Sequence, residues 1–132
     1  MNNFVNIILI LFFLFLLSCS NNKNKIDIIE EPDIESQMID AYKEGLIALE
    51  EGDVLFAAKK FNEAELVYPQ SDWAPKSALM SAYSYYKHDY FGDAIFELER
   101  FIKVYPKDKR LAYAYFLKAI CYYEQIHDEK KD

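Results

Sequence analysis

Ala57-Ala58-Lys59-Lys60-Phe61-Asn62-Glu63-Ala64-Glu65-Leu66-Val67-Tyr68-Pro69 returns 37 positions later as Ala94-Ile95-Phe96-Glu97-Leu98-Glu99-Arg100-Phe101-Ile102-Lys103-Val104-Tyr105-Pro106. Ala57 pairs with Ala94, Phe61 with Leu98, Ala64 with Phe101, Val67 with Val104, Tyr68 with Tyr105 and Pro69 with Pro106. The same step carries Gly45 to Ala82 and Ala119, and Tyr85-Tyr86 to Tyr122-Tyr123. A fixed period of roughly 20–50 residues is the signature of a solenoid, in which one supersecondary unit stacks on the next.

Punctuation around this stretch sets the helices. A first helix is expected over 37–51, broken by Gly52-Asp53; Asp53 is placed to cap a second, which Pro69 ends near residue 68. Ser71 or Asp72 can cap a third that tolerates Pro75 in its first turn and reaches His88. A fourth covers 90–105 with Pro106 as its stop, and a fifth begins at 108 or 109 and runs to 125. Ala or Gly at 45, 57, 82 and 94 lets the two helices of a unit approach closely, with Phe61 and Leu98 filling the space between them. Lys60 is expected on an exposed face. Trp73 reads as a staple over the junction between units.

The 132 residues allow one small domain. Aromatics are plentiful and Gly and Pro scarce, as suits packed helices. The net charge of −7 lies wholly after the apolar leader, because no Lys or Arg precedes Lys23. An acidic surface excludes nucleic acid as a partner and gives no attraction to anionic lipid. Membrane attachment must come from elsewhere.

The leader supplies it. Residues 7–17 are uninterruptedly apolar, too short to span a bilayer comfortably but suited to a signal-peptide core, and they end in Leu16-Leu17-Ser18-Cys19. That ending resembles a bacterial lipobox, in which a small residue precedes the cut and the thiol takes diacylglycerol. The resemblance implies cleavage before Cys19 and acylation of its new amine as well. Each buried methylene contributes about 0.8 kcal/mol, so several chains hold where one is marginal. An uncleaved transmembrane anchor is the competing reading, since Phe4 and Val5 extend the run and Met1-Asn2-Asn3 carries no cation. Residues 1–18 are thus read as a lipoprotein signal peptide. Residues 19–36 follow as the lipidated Cys and a flexible acidic tether, and 37–132 as a repeat domain.

Ala57-x3-Phe61 followed by Pro69, with Gly45 upstream, resembles the tetratricopeptide pattern. Ala41 and Ala78 stand where that pattern has Trp, Glu44 and Ser81 where it has Leu, and the period exceeds the usual length of about 34. The expected fold is all-α: a tetratricopeptide-type solenoid of antiparallel helix pairs, with two full repeats and helix A of a third. Three stretches of wording are more specific still. Ser71-Asp72-Trp73-Ala74-Pro75-Lys76 with Ala82-Tyr83-Ser84-Tyr85-Tyr86-Lys87, Arg100-Phe101-Ile102, and residues 117–126 together resemble the BamD (ComL) family. These are tetratricopeptide lipoproteins of the outer-membrane β-barrel assembly machinery.

That resemblance implies an outer-membrane lipoprotein on the periplasmic face, held in the membrane through acylated Cys19, with no enzymatic activity. It implies a BamA-like barrel assembly protein and other assembly lipoproteins as partners, and unfolded outer-membrane proteins as ligands whose folding and insertion are assisted. The family has about five repeats, whereas this chain stops inside the third. The sequence therefore reads as truncated, and the family's docking on BamA through later repeats does not carry over. A tetratricopeptide lipoprotein scaffolding a peptidoglycan or division complex is the alternative.

In such a superhelix helix A lines the concave groove. One stripe places Tyr42, Leu46 and Leu49 there from the first repeat, Leu79, Tyr83 and Tyr86 from the second, and Phe116, Ile120 and Tyr123 from the third. An aromatic groove suits an extended peptide bearing aromatics, and Lys76 and Lys87 are placed to meet a carboxylate. The plain alternative is that these side chains are core between repeats. Nothing in the sequence points to catalysis, a metal or a cofactor. His88 and His127 fall at helix ends, Cys121 on an apolar helix where it reads as a small hydrophobe, and Glu50-Glu51 point apart on one helix.

Overall fold

The computed structural model describes residues 33–128, so the leader, Cys19 and most of the acidic tether lie outside the described residues. Five helices follow one another: α1 (Ile34–Glu51), α2 (Val54–Val67), α3 (Trp73–Lys87), α4 (Phe91–Val104) and α5 (Leu111–Asp128). Each packs on the next in the chain, the arrangement of tetratricopeptide-like repeats. None of the described helices is long and apolar enough to cross a membrane.

Local chemistry sets the helix ends. Gly52 closes α1 at φ 84° and donates its N–H to the carbonyls of Ala48 and Leu49. Asp53 then caps α2 by accepting from the Phe56 N–H at 3.1 Å. At α3 the cap is Ser71, whose hydroxyl accepts from the Ala74 N–H at 3.2 Å while donating to the Tyr68 carbonyl at 2.8 Å. Asp89, one period after Gly52, takes the matching left-handed conformation at φ 65°, which Asp tolerates better than most residues. The first helix starts three residues earlier than the sequence suggests, because the Asp33 carbonyl already accepts from the Gln37 N–H at 3.0 Å.

The repeat register holds in the core. Ala57, Phe61, Ala64, Ala94, Leu98 and Phe101 are all fully buried. Met38, Ala41 and Tyr42 pack with Phe61 and Ala64 in one cluster; Ala78, Ala82, Leu98, Phe101, Leu117 and Cys121 form another. Gly45 allows the first unit to close, since a Cβ there would lie 2.9 Å from two atoms of the Phe61 ring. Fully burying a Phe or Leu side chain contributes about 1.5–3 kcal/mol, so these residues dominate the local stability. Trp73 bridges the first two units as expected, edge-on to Tyr42 at 5.1 Å.

A buried polar network ties α2 to α4. The Arg100 guanidinium donates to both Glu65 oxygens at 2.8 and 2.7 Å and to Glu97 at 2.8 Å, and the Tyr105 hydroxyl donates to Glu65 at 2.7 Å. Two partners for one buried carboxylate remove the penalty of an unpaired charge. Lys60, expected to be exposed, is largely covered: its ammonium pairs with Glu44 at 2.8 Å and Glu63 at 2.9 Å.

Candidate peptide-binding groove

Side chains at positions 76, 79, 80, 83, 86 and 87 recur every three or four residues and so share one face of α3. Three cavities open along that face. The first, of about 370 Å³, is lined by Asp72, Trp73, Lys76, Lys107, Asp108, Lys109 and Arg110. A second, of about 310 Å³, shares Lys76 and adds Leu79, Met80, Tyr83 and Tyr113. The third, of about 450 Å³, shares Tyr83 and continues to Tyr86, Lys87, Asp89, Phe91 and Glu124. Shared residues make them one groove with a polar end, an apolar middle and a second polar end.

Lys76 is the hinge between the first two cavities. Its ammonium sits 4.1 Å from the centre of the Trp73 ring and 4.8 Å from that of Tyr42. Such contacts hold a cation by the ring quadrupole, each contributing about 0.5–2 kcal/mol. Among the described residues Lys76 has no carboxylate partner. Arg110 is occupied differently. It chelates Asp108 at 2.8 and 3.0 Å and reaches the Asp72 carbonyl at 3.4 Å, and these bonds hold the Asp108 carboxyl below its usual range. Burial raises the phenols of Tyr42 and Tyr113 above their ordinary value, so both stay neutral at physiological pH.

The expected groove residues are distributed unevenly. Lys76, Leu79, Tyr83, Tyr86 and Lys87 all line the groove. Tyr42 is 7% exposed and meets the groove through Lys76; it also packs edge-on against Phe61 at 5.2 Å. Leu46, Leu49, Phe116, Ile120 and Tyr123 line none of the three cavities. Leu46 is exposed, Leu49 packs against the first core cluster, and Ile120 is half-buried. Phe116 and Tyr123 lie open, 61% and 64% exposed, whereas their counterparts one period earlier on α3, Leu79 and Tyr86, are buried and half-buried. From α5 the groove takes Tyr113 and Glu124 instead. Position within the third repeat alone does not single these two out, since the superhelical twist decides which stripe turns inward.

No group of acids, His and Cys among the described residues could hold a metal ion. Cys121 is fully buried, and burial pushes its thiol up to about 11. It is inert at neutral pH.

Comparison with known proteins agrees with this architecture. A family model described as YfiO, outer membrane lipoprotein, matches residues 34–132. Outer membrane protein assembly factor BamD of Caulobacter vibrioides is 40% identical over 91 residues, covering 69% of this chain and 30% of that protein. The protein of the same name from Rickettsia prowazekii is 32% identical over 119 residues, or 90% of this chain and 45% of the relative. That of Neisseria gonorrhoeae is 30% identical over 84 residues, 64% of the chain and 32% of the relative. The chain thus spans less than half the length of the curated relatives it matches. Their shared name describes an assembly factor rather than a catalyst. With a match over nearly all of its helical part and helices stacked in one repeat register, the chain belongs to the YfiO/BamD family of outer membrane lipoproteins.

Proposed function

We propose that this chain serves the β-barrel assembly machinery by binding unfolded outer-membrane proteins in the groove along α3 and assisting their folding and insertion. The observation that carries this reading is the continuity of the three cavities through Lys76 and Tyr83. An extended chain needs such a trough, with apolar pockets for alternate side chains and polar ends. The relatives' name, outer membrane protein assembly factor, supports the same reading. Acylated Cys19 would hold the groove at the membrane surface, where nascent barrels arrive, and a BamA-like protein would be its neighbour.

Trp73 is the sole tryptophan and lines the groove, so its emission reports occupancy. Titrating the full chain in detergent micelles with an urea-diluted porin-type barrel protein should shift that emission saturably. Substituting Tyr83→Ser together with Tyr113→Ser should weaken binding about tenfold, as loss of aromatic anchors does elsewhere. Unchanged affinity in the double variant refutes the groove. Recovery of division or peptidoglycan proteins by affinity purification from cells, with no BamA-like protein, refutes the assembly role.

A further inference from the structure

The net charge of −7 conceals an uneven distribution. Because the helices alternate in direction, α1, α3 and α5 begin at one edge of the repeat stack, where α2 and α4 end. Contacts hold these ends together. The Ser71 hydroxyl lies 3.9 Å from the Met38 sulfur, Arg110 reaches the Asp72 carbonyl at 3.4 Å, and Tyr105 bonds Glu65 at 2.7 Å. At the opposite edge the Gly52 turn meets His88 and Gly92 meets Gln125. There Glu50, Glu51, Asp53, Asp89, Asp93 and Glu124 stand against Lys87. The first edge differs at one corner, the turn from α4 to α5. Arg110 and Asp108 neutralise each other at 2.8 Å, while Lys103, Lys107 and Lys109 are exposed and make no ion pair among the described residues. Val104 is exposed between them, as are Leu66 and Tyr68 at the neighbouring turn, one period before Lys103 and Tyr105. Exposed apolar side chains such as Ile47 and Tyr90 occur elsewhere too, so charge is what sets this corner apart. The acidic balance of the whole chain therefore does not hold here.

We infer that the α4–α5 corner lies against an anionic lipid surface, with Lys103, Lys107 and Lys109 at the phosphates and Val104, Leu66 and Tyr68 in the interface. The contact is separate from the peptide groove and does not depend on it. Interfacial elements bind by this combination of buried apolar surface and attraction to anionic headgroups, with an aromatic ring suited to the boundary. A lipid surface is favoured over an acidic protein because the chain belongs to a family of outer membrane lipoproteins and enters its helices at this same edge, where α1 begins. Residues 20–32 lie between Cys19 and Asp33, thirteen residues that reach at most about 45 Å. Attachment at Cys19 alone leaves the helices free to stand off by that distance. The corner lays them down in one orientation, with the acidic edge turned away from the headgroups. Each lysine near such a surface contributes about fivefold, so the three together favour this orientation by about a hundredfold at low salt.

The test places the full chain on vesicles and measures energy transfer to a headgroup dye from Trp73, the sole tryptophan and the first residue of α3 at this edge. Acylated Cys19 or the apolar leader holds every variant on the vesicle, so transfer reports orientation rather than attachment. Transfer should be at least about twofold stronger with about one-third phosphatidylglycerol than with phosphatidylcholine alone. Salt of about 0.5 M should remove the difference by screening. Lys107→Glu with Lys109→Glu should abolish it, and Lys107→Arg with Lys109→Arg should preserve it. Lys43→Glu with Lys59→Glu, the same change in net charge away from the corner, should leave it intact. Equal transfer from the wild-type chain in both lipids overturns the inference and leaves the corner to an acidic protein partner. Equal losses in the two glutamate pairs also overturn it, since net charge alone would then govern the response.

Discussion

Gly45→Ala is the most informative single substitution, because two opposed effects of similar size meet there. The new methyl would stand 2.9 Å from Cδ1 and Cε1 of Phe61, where ordinary contact is about 3.5–4.0 Å. The ring cannot retreat easily: Phe61 is fully buried and already packs edge-on against Tyr42 at 5.2 Å. Overpacking of this kind costs about 1–3 kcal/mol. Against it, Ala is the better helix former by about 0.8–1.0 kcal/mol. The net expectation is a loss of about 1 kcal/mol, or a fall in Tm of about 4–8 °C for a domain of this size. The second repeat contains the answer to the clash, for there Ala82 occupies the Gly45 position and Leu98 that of Phe61, in one core cluster. Phe61→Leu alone should cost about 1–2 kcal/mol by leaving a void. Combined, the two substitutions recreate the second repeat's pairing, so their costs should fall short of the sum by about 0.5–3 kcal/mol. Urea unfolding of the four proteins in the same micelles, followed by circular dichroism, measures that coupling. Strict additivity would mean that position 45 does not oppose Phe61 and that the 37-residue register is misassigned.

Three further outcomes are expected. Arg100→Met should lower stability by about 2–4 kcal/mol by leaving the Glu65 carboxylate without its cation, and adding Glu65→Gln should recover at least half of the loss in urea unfolding. At pH 8 the Cys121 thiol should react with a thiol reagent only after denaturation. Its folded value of about 11 exceeds the ordinary 9.0, so its contribution to stability is complete below pH 9 and lost as pH rises toward 11. Cys121→Ala should flatten that part of the profile. Finally, Cys19→Ala should leave an uncleaved, unacylated precursor; intact Met1 on the mature wild-type protein by mass spectrometry would remove the lipid-anchor proposal.

The helical frame was legible because small residues repeat at fixed spacing. Ala57 and Ala94 are fully buried, as are Phe61 and Leu98, and Gly52, Pro69 and Pro106 stand at or just beyond the helix ends. What depends on the packing of one helix across another was not legible. The Glu65–Arg100 contact joins residues 35 apart, two short of the repeat, and no periodic pattern marks it. Lys60 looked like a solvent-facing residue within α2, yet Glu44 reaches it from α1. The groove was legible along α3, where Lys76, Tyr83 and Lys87 follow helical spacing. Tyr113 and Glu124 escaped notice because a sequence gives the spacing of a helix face but not the twist that turns it toward its neighbour.

The Arg100 network has a consequence for how the repeats find one another. Helices α2 and α4 have the same length and the same spacing of buried apolar residues, so stacking against the wrong neighbour is a hazard here as in other repeat proteins. One period before Arg100 stands Glu63, and one period after Glu65 stands Ile102. Exchanging the two helices would therefore set Glu63 against Ile102 where Arg100 now meets Glu65, burying an acid without a guanidinium. Such an arrangement is disfavoured by several kcal/mol. The pair works as a key cut into one of two blades of equal length and like pattern: it distinguishes first from second during assembly, when matching of buried apolar positions alone would discriminate less.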